Sequence, residues 1–189
     1  RIHFFRNMGS SNSPNYVEES TSLLSENMGQ MLTPEFGDLD GDGDMDLLVG
    51  DFNGFIQYFE NISSTGSNLV FTFIENVGNI DLSGNSVPTL GDLDGDGDLD
   101  LLIGQLNGSL AFYRNMGSTF QYNFQEEPFN IAVESNSAPE LMDRDNDGDL
   151  DLVVGSGDER LYFYWNGSGS NFDFELSFNL EVIIGVNTK

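Results

Sequence analysis

The chain has 189 residues, no cysteine and a formal charge of −26, from 32 acidic side chains against 6 basic ones. That length allows one substantial domain, and the missing cysteine excludes disulfides, thiol catalysis and cysteine-ligated zinc. The acidity argues against nucleic acid or an anionic membrane as partner, since both need basic patches. No apolar run approaches bilayer length, so direct membrane insertion is not expected. Phe, Tyr, Val, Ile and Leu are plentiful while Lys, Arg and Ala are scarce, which favours strands over long helices. The expected class is all-β. No signal peptide is visible and the chain opens at Arg1, which reads as a mature or excised piece of something longer.

In chain order, residues 2–10 (Ile-His-Phe-Phe-Arg-Asn-Met-Gly-Ser) match residues 110–118 closely. Residues 1–20 therefore read as the third and fourth strands of an incomplete first unit, with Tyr16-Val17-Glu18 as the fourth. Three full units follow, at 28–81, 82–134 and 135–180, and their segments 34–61, 88–115 and 139–166 align without a gap. Each opens with Pro at a strand start (34–36, 88–90, 139–141), where a missing N–H is tolerated. A nine-residue acidic loop comes next, then a short apolar strand ending in Gly (47–50, 101–104, 152–155). A turn follows at 51–54 and 105–108, ending in Asn-Gly, a strong hairpin signal. In the third unit that turn is Ser156-Gly157-Asp158-Glu159 and the Asn-Gly is lost.

A third strand runs 55–60, 109–114 and 160–165, with Ile56 and Tyr58, Leu110 and Phe112, and Leu161 and Phe163 sharing a face by period-two alternation. An outer strand is expected at 69–75, 120–125 and 172–176. Four antiparallel strands at a period of about fifty residues indicate propeller blades rather than a helical solenoid. Residues 181–189, apolar and β-prone over 181–186, read as the start of a further blade or a closing strand.

The acidic loops are 38–46, 92–100 and 143–151. Each places Asp at positions 1, 3, 5, 7 and 9 and Gly at position 6. Alternating carboxylates on a tightly wound loop converge on one point, and a hard cation wanting six to eight oxygens suits them, so calcium is the natural occupant. These are not EF-hands, which need a bidentate Glu at position 12 and flanking helices. Position 12 here is Val49, Ile103 or Val154, inside a strand. The ninth-position Asp46, Asp100 and Asp151 are expected to close the cage from that strand.

The pattern Pro-x-x-x-Asp-x-Asp-x-Asp-Gly-x-x-Asp-Leu, present three times, resembles the FG-GAP/VCBS repeat family, the calcium-loop blades of integrin α-chain propellers and of many secreted bacterial surface proteins. The resemblance implies a β-propeller with one calcium ion on the loop between the first and second strands of each blade, about three sites in all. It implies side-chain ligands Asp38, Asp40, Asp42 and Asp46 in the first loop, Asp92, Asp94, Asp96 and Asp100 in the second, and Asp143, Asp145, Asp147 and Asp151 in the third. Asp44, Asp98 and Asp149 would give backbone carbonyls. Family propellers usually close with about seven blades, and three and a half cannot close a ring around one axis. The chain is then part of a longer propeller, completes a ring with other chains, or stacks its blades openly.

Catalysis finds little support, and the chain is not expected to be an enzyme. His3 is the only histidine and sits on a strand, with no second one to build a triad. The Asp clusters have the spacing of metal ligands rather than of a glycosidase pair. Three sequons, at Asn61, Asn107 and Asn166, fall in predicted turns and are candidate glycosylation sites, although Asn-Gly-Ser is also ordinary turn chemistry. Trp165, with Tyr162 and Tyr164 near it, is a candidate ligand contact or packs against a next blade. The expected role is a secreted or cell-surface binding or adhesion module with structural calcium. Its expected partners are a protein or carbohydrate ligand or other copies of the chain. The alternatives are a self-assembling structural protein and a non-catalytic accessory domain of a large secreted enzyme.

Overall fold

The computed structural model describes residues 1–20, 24, 29–63, 69–82, 84–167 and 174–181. Among them there is no helix, and hence none long and apolar enough to cross a membrane. Two strands, β1 (Phe4–Asn7) and β2 (Tyr16–Ser20), form an antiparallel pair. Next comes a four-stranded sheet of β3 (Thr33–Gly37), β4 (Asp46–Gly50), β5 (Phe55–Asn61) and β6 (Phe71–Asp81). A second contains β7 (Val87–Gly91), β8 (Asp100–Gly104), β9 (Leu110–Asn115) and β10 (Phe124–Glu127). A third contains β11 (Ala138–Met142), β12 (Asp151–Ser156), β13 (Arg160–Asn166) and β14 (Phe174–Glu181).

Each large sheet is a meander in chain order with the same register: Pro34 faces Val49, Pro88 faces Ile103 and Pro139 faces Val154. The prolines sit on first strands at the sheet edge, where no neighbour asks for their N–H.

The sheets stack face to face and meet most closely along their first strands, β3 on β7 and β7 on β11. That explains why β4 and β8 are buried at every residue, since alternate side chains feed the cores on either side of the sheet. Leu48, Ile56 and Tyr58 of the first sheet pack with Leu101, Ile103, Ala111 and Tyr113 of the second. Leu102, Leu110 and Phe112 pack with Leu152, Val154 and Tyr164 of the third. Leu47, Val49 and Phe59 meet Ile2, Leu24 and Leu32 on the other side of the first sheet. Burying one such side chain contributes about 1.5–3 kcal/mol.

Two sequence features set the spacing. A Cβ on Gly37 would stand 2.6 Å from Leu90 and 2.9 Å from Leu99, and one on Gly91 2.8 Å from Leu141 and 2.7 Å from Leu150. Glycine is therefore what lets the next sheet approach. The second feature is a serine clasp. Ser86, fully buried, accepts the Asp51 N–H (3.0 Å) and donates to the Phe55 carbonyl (2.8 Å). Ser137 repeats this one sheet later, accepting the Gln105 N–H (2.7 Å) and donating to the Ser109 carbonyl (2.8 Å). Each serine follows an asparagine, Asn85 or Asn136, held at φ +46°, a left-handed conformation that asparagine tolerates.

The third sheet departs from this pattern on its outward face. Met142 stands where the sisters have Gly37 and Gly91, and Arg144 where they bury Leu39 and Leu93. Val153, Leu161 and Phe163 are only half-buried there. The close approach that joins the other sheets is not repeated on this face.

The outer strands also differ from expectation. β10 begins at Phe124 rather than at 120, because Asn115 Oδ1 accepts the N–H groups of Gly117 (3.1 Å) and Asn123 (2.8 Å) and folds the intervening residues into a turn. β6 starts two residues later than expected and runs on to Asp81, with register shifts against β5. β14 extends through Glu181, which belongs to the third sheet rather than to a new unit; residues 172–173 of the expected outer strand and 182–189 lie outside the described residues.

Replacing Ser137 by Ala leaves the buried Gln105 N–H without its acceptor. Stability should fall by about 1–3 kcal/mol, read as a lower urea midpoint with an unchanged m-value.

Candidate metal centres

Each acidic loop leaves a first strand and returns on a second, and its winding comes from two left-handed residues. Position 4 is Gly41 (φ +73°), Gly95 (φ +75°) or Asn146 (φ +62°), and position 6 is Gly43 (φ +92°), Gly97 (φ +97°) or Gly148 (φ +100°). The need at position 4 was not read from the sequence, although Gly-Gly-Asn at that place was its signal.

The first carboxylate organises the coil. Asp38 accepts the N–H groups of Gly41 (2.7 Å) and Gly43 (3.1 Å), and Asp92 those of Gly95 (2.8 Å) and Gly97 (3.0 Å). Asp143 accepts that of Gly148 (3.2 Å). One carboxylate oxygen from each member of Asp38, Asp40 and Asp42 then lies within 4.8 Å of the others, as in Asp92, Asp94 and Asp96 and in Asp143, Asp145 and Asp147.

Position 9 has a second task. Asp46, buried at the start of β4, accepts the Leu39 N–H (3.1 Å), the Tyr58 hydroxyl (3.0 Å) and the Asn61 N–H (2.9 Å). Asp100 accepts the N–H groups of Leu93 (3.0 Å) and Asn115 (2.8 Å), and Asp151 those of Arg144 (3.2 Å) and Asn166 (3.0 Å). These aspartates tie the loop to the end of the third strand. Asp46 Oδ1 and both oxygens of Asp100 and Asp151 each keep a further lone pair for a cation, whereas Asp46 Oδ2 has both of its lone pairs taken by Leu39 and Tyr58.

Position 7 is exposed at Asp44 and half-exposed at Asp149, but Asp98 is buried. Arg114 reaches the second loop alone, pairing with Asp94 and, through Nε, with Glu127 at 2.9 Å.

The electrostatics of the loops reflect burial and crowded negative charge. Burial pushes the Asp98 carboxyl up to about 6, helped by the charges of Asp96, Asp94 and Asp92. Asp100 is likewise pushed up to about 6 by burial, against the hydrogen bonds from Asn115 and Leu93. Burial also raises Asp46. An all-carboxylate donor set of this density fits a hard divalent cation, and a bound ion would favour the ionised forms.

The other sequence candidates do not join these centres. Asn61 and Asn166 are not in turns: they are the last residues of β5 and β13 and both are buried. Asn61 donates its amide to the Met45 carbonyl (3.0 Å) and accepts the Ser63 N–H (3.1 Å), contacts that hold the loop. Ser168 of the third sequon lies outside the described residues. Asn107 is exposed in its turn. Trp165 is half-buried with the Arg144 guanidinium 4.5 Å above its ring. His3, just before β1, bonds Glu18 of β2 at 2.6 Å.

Against known families, residues 38–103 match the model of the FG-GAP-like repeat. The matched stretch runs from the first acidic loop through β4 to β7 and the second loop into β8. The third acidic loop lies beyond it with the same spacing. Comparison with curated proteins finds no match.

In metal-free protein, Asp98 and Asp100 hold their protons more tightly folded than unfolded, where a carboxyl titrates near 4. Their stabilising contribution is present below about pH 4 and lost as pH rises through about 6. The urea midpoint of metal-stripped protein should therefore be higher at pH 5 than at pH 7, and saturating calcium should shrink or reverse that difference.

Proposed function

We propose that the chain is a calcium-stabilised segment of β-propeller-type blades that serves as an extracellular binding or adhesion module, without catalysis of its own. The observation that carries this is the convergence of three aspartate trios, each at the same place in a repeated four-stranded sheet and each on a loop already wound for a cation. The FG-GAP-like repeat match supports the blade reading.

Calcium acts here as a structural ion. It neutralises carboxylates that otherwise repel one another and ties the first strand of each blade to the second. An extracellular setting is in keeping with this role: calcium loops of extracellular modules bind at about 0.1–1 mM, so they fill where calcium is millimolar. At 1 mM calcium each site would then add about 0.4–1.4 kcal/mol. The stacked sheets offer a rigid frame on which loops and turns present a surface to a protein or carbohydrate ligand.

Calorimetric titration of metal-stripped protein should find three calcium ions per chain. Chelator should lower the melting temperature, by roughly 2–4 °C for each kcal/mol lost. Asp94→Asn should reduce the count to two. A melting temperature indifferent to chelator would defeat the structural role of calcium.

A further inference from the structure

The residue before the closing asparagine of the third strand differs in every large sheet: Glu60, Arg114 or Trp165. The three stand in one register, since the next residue, Asn61, Asn115 or Asn166, gives its N–H to the ninth-position aspartate of its loop. Only the second sheet puts a positive charge there, and the guanidinium reaches the loop. Nη1 of Arg114 pairs with Asp94 Oδ2, while Nε bonds Glu127 Oε1 at 2.9 Å. Nη2 lies 3.4 Å from Glu127 Oε2, so β10 holds the fork from the far side. The third loop has an arginine of its own, Arg144, but that guanidinium lies 4.5 Å over the Trp165 ring.

The Arg114–Asp94 pair is sheltered, with the two side chains 23% and 13% exposed, so salt screens it less than a surface pair. Asp94 is position 3 of its loop and one of the trio whose oxygens converge. The charge of Arg114 acts on Asp100, at position 9, as well. In the metal-free loop the guanidinium neutralises one of five carboxylates, which lessens their mutual repulsion. Toward an arriving divalent cation the same charge is repulsive, and it already holds an oxygen of one ligand. Outer partners also orient metal ligands, but a neutral donor would do that without the repulsion. Glu127 offsets part of the charge from outside the loop. The balance is against the ion.

We propose that Arg114 is a built-in counter-ion of the second loop, which supports that loop without calcium and lowers its affinity for the ion. The blade flanked by a large sheet on each side is then the one whose loop depends least on calcium. The proposal rests on the reading of the loops as calcium sites and deepens it by setting one site apart from the other two.

The test is a calcium titration of ¹⁵N-labelled, metal-stripped protein that follows the amides of Gly43, Gly97 and Gly148, at position 6 of the three loops. Arg114→Gln should bring the Gly97 midpoint to about tenfold lower calcium and leave those of Gly43 and Gly148 in place. Glu127→Gln, which leaves the guanidinium less compensated, should move the Gly97 midpoint several-fold the other way. The rise in melting temperature on adding calcium should also be larger in Arg114→Gln than in the parent chain. A Gly97 midpoint that stays in place in Arg114→Gln would overturn the proposal. So would one that moves to higher calcium, which would make Arg114 a residue that positions Asp94 for the ion. Absence of a saturable shift at all three glycines would overturn the calcium reading and this proposal together, whereas normal binding with an unmoved Gly97 midpoint would overturn this proposal alone.

Discussion

The contact on which the rest depends is the buried carboxylate at the ninth loop position. Asp46, Asp100 and Asp151 each take one backbone N–H from the start of their loop and another from the end of the third strand. A single side chain thereby fixes the loop entrance, the second strand that carries it and the third strand beside it. Charge-assisted bonds of this kind are about twice as strong as neutral ones, but a carboxylate taken out of water opposes its own ionisation, as the raised Asp46 and Asp100 show. A cation held by the neighbouring aspartates would resolve that conflict and would link metal binding to folding through one residue.

From that anchor outward, the blades are built to be stacked rather than to stand alone. A strand buried on both faces has no solvent side, so β4 and β8 need a neighbour on each flank. Glycines at 37 and 91 bring that neighbour close, and the serines at 86 and 137 lock the incoming strand to the turn of the sheet before it. Stability in such an array is a sum over repeats and their interfaces, and each interface here combines apolar burial with satisfied backbone groups. The third sheet keeps the inward half of this scheme. Its outward half carries Met142, the Arg144–Trp165 pair and half-buried aliphatics instead, a surface of different chemistry from the two interfaces inside the chain.

Much of this was legible in the sequence because the repeat states it three times. Pro at the strand start, alternating aspartates and an apolar run ending in Gly recur in one register, and each has a local physical cause: a missing N–H, a cation's geometry, burial on two faces. Strand order and pairing within each sheet follow from short connections. Where one signal served two purposes the reading was partial. Asn61 and Asn166 read as sequons in turns, yet both are buried at the end of the third strand. At the equivalent place in the second sheet, Asn115 folds the turn that delays β10 to Phe124.

The all-β class, the three acidic loops and the oxygen chemistry they offer were determined by the sequence alone, because they depend on residues near one another along the chain. The tertiary structure decided what depends on residues from different sheets. It set which face of each strand meets which neighbour, it turned Asp98 inward while Asp44 stays in solvent, and it brought Phe120 over Gly41. Local pattern holds no record of a contact between residue 41 and residue 120. Only the stacking of one sheet on the next, set by glycine at the point of closest approach, brings them together.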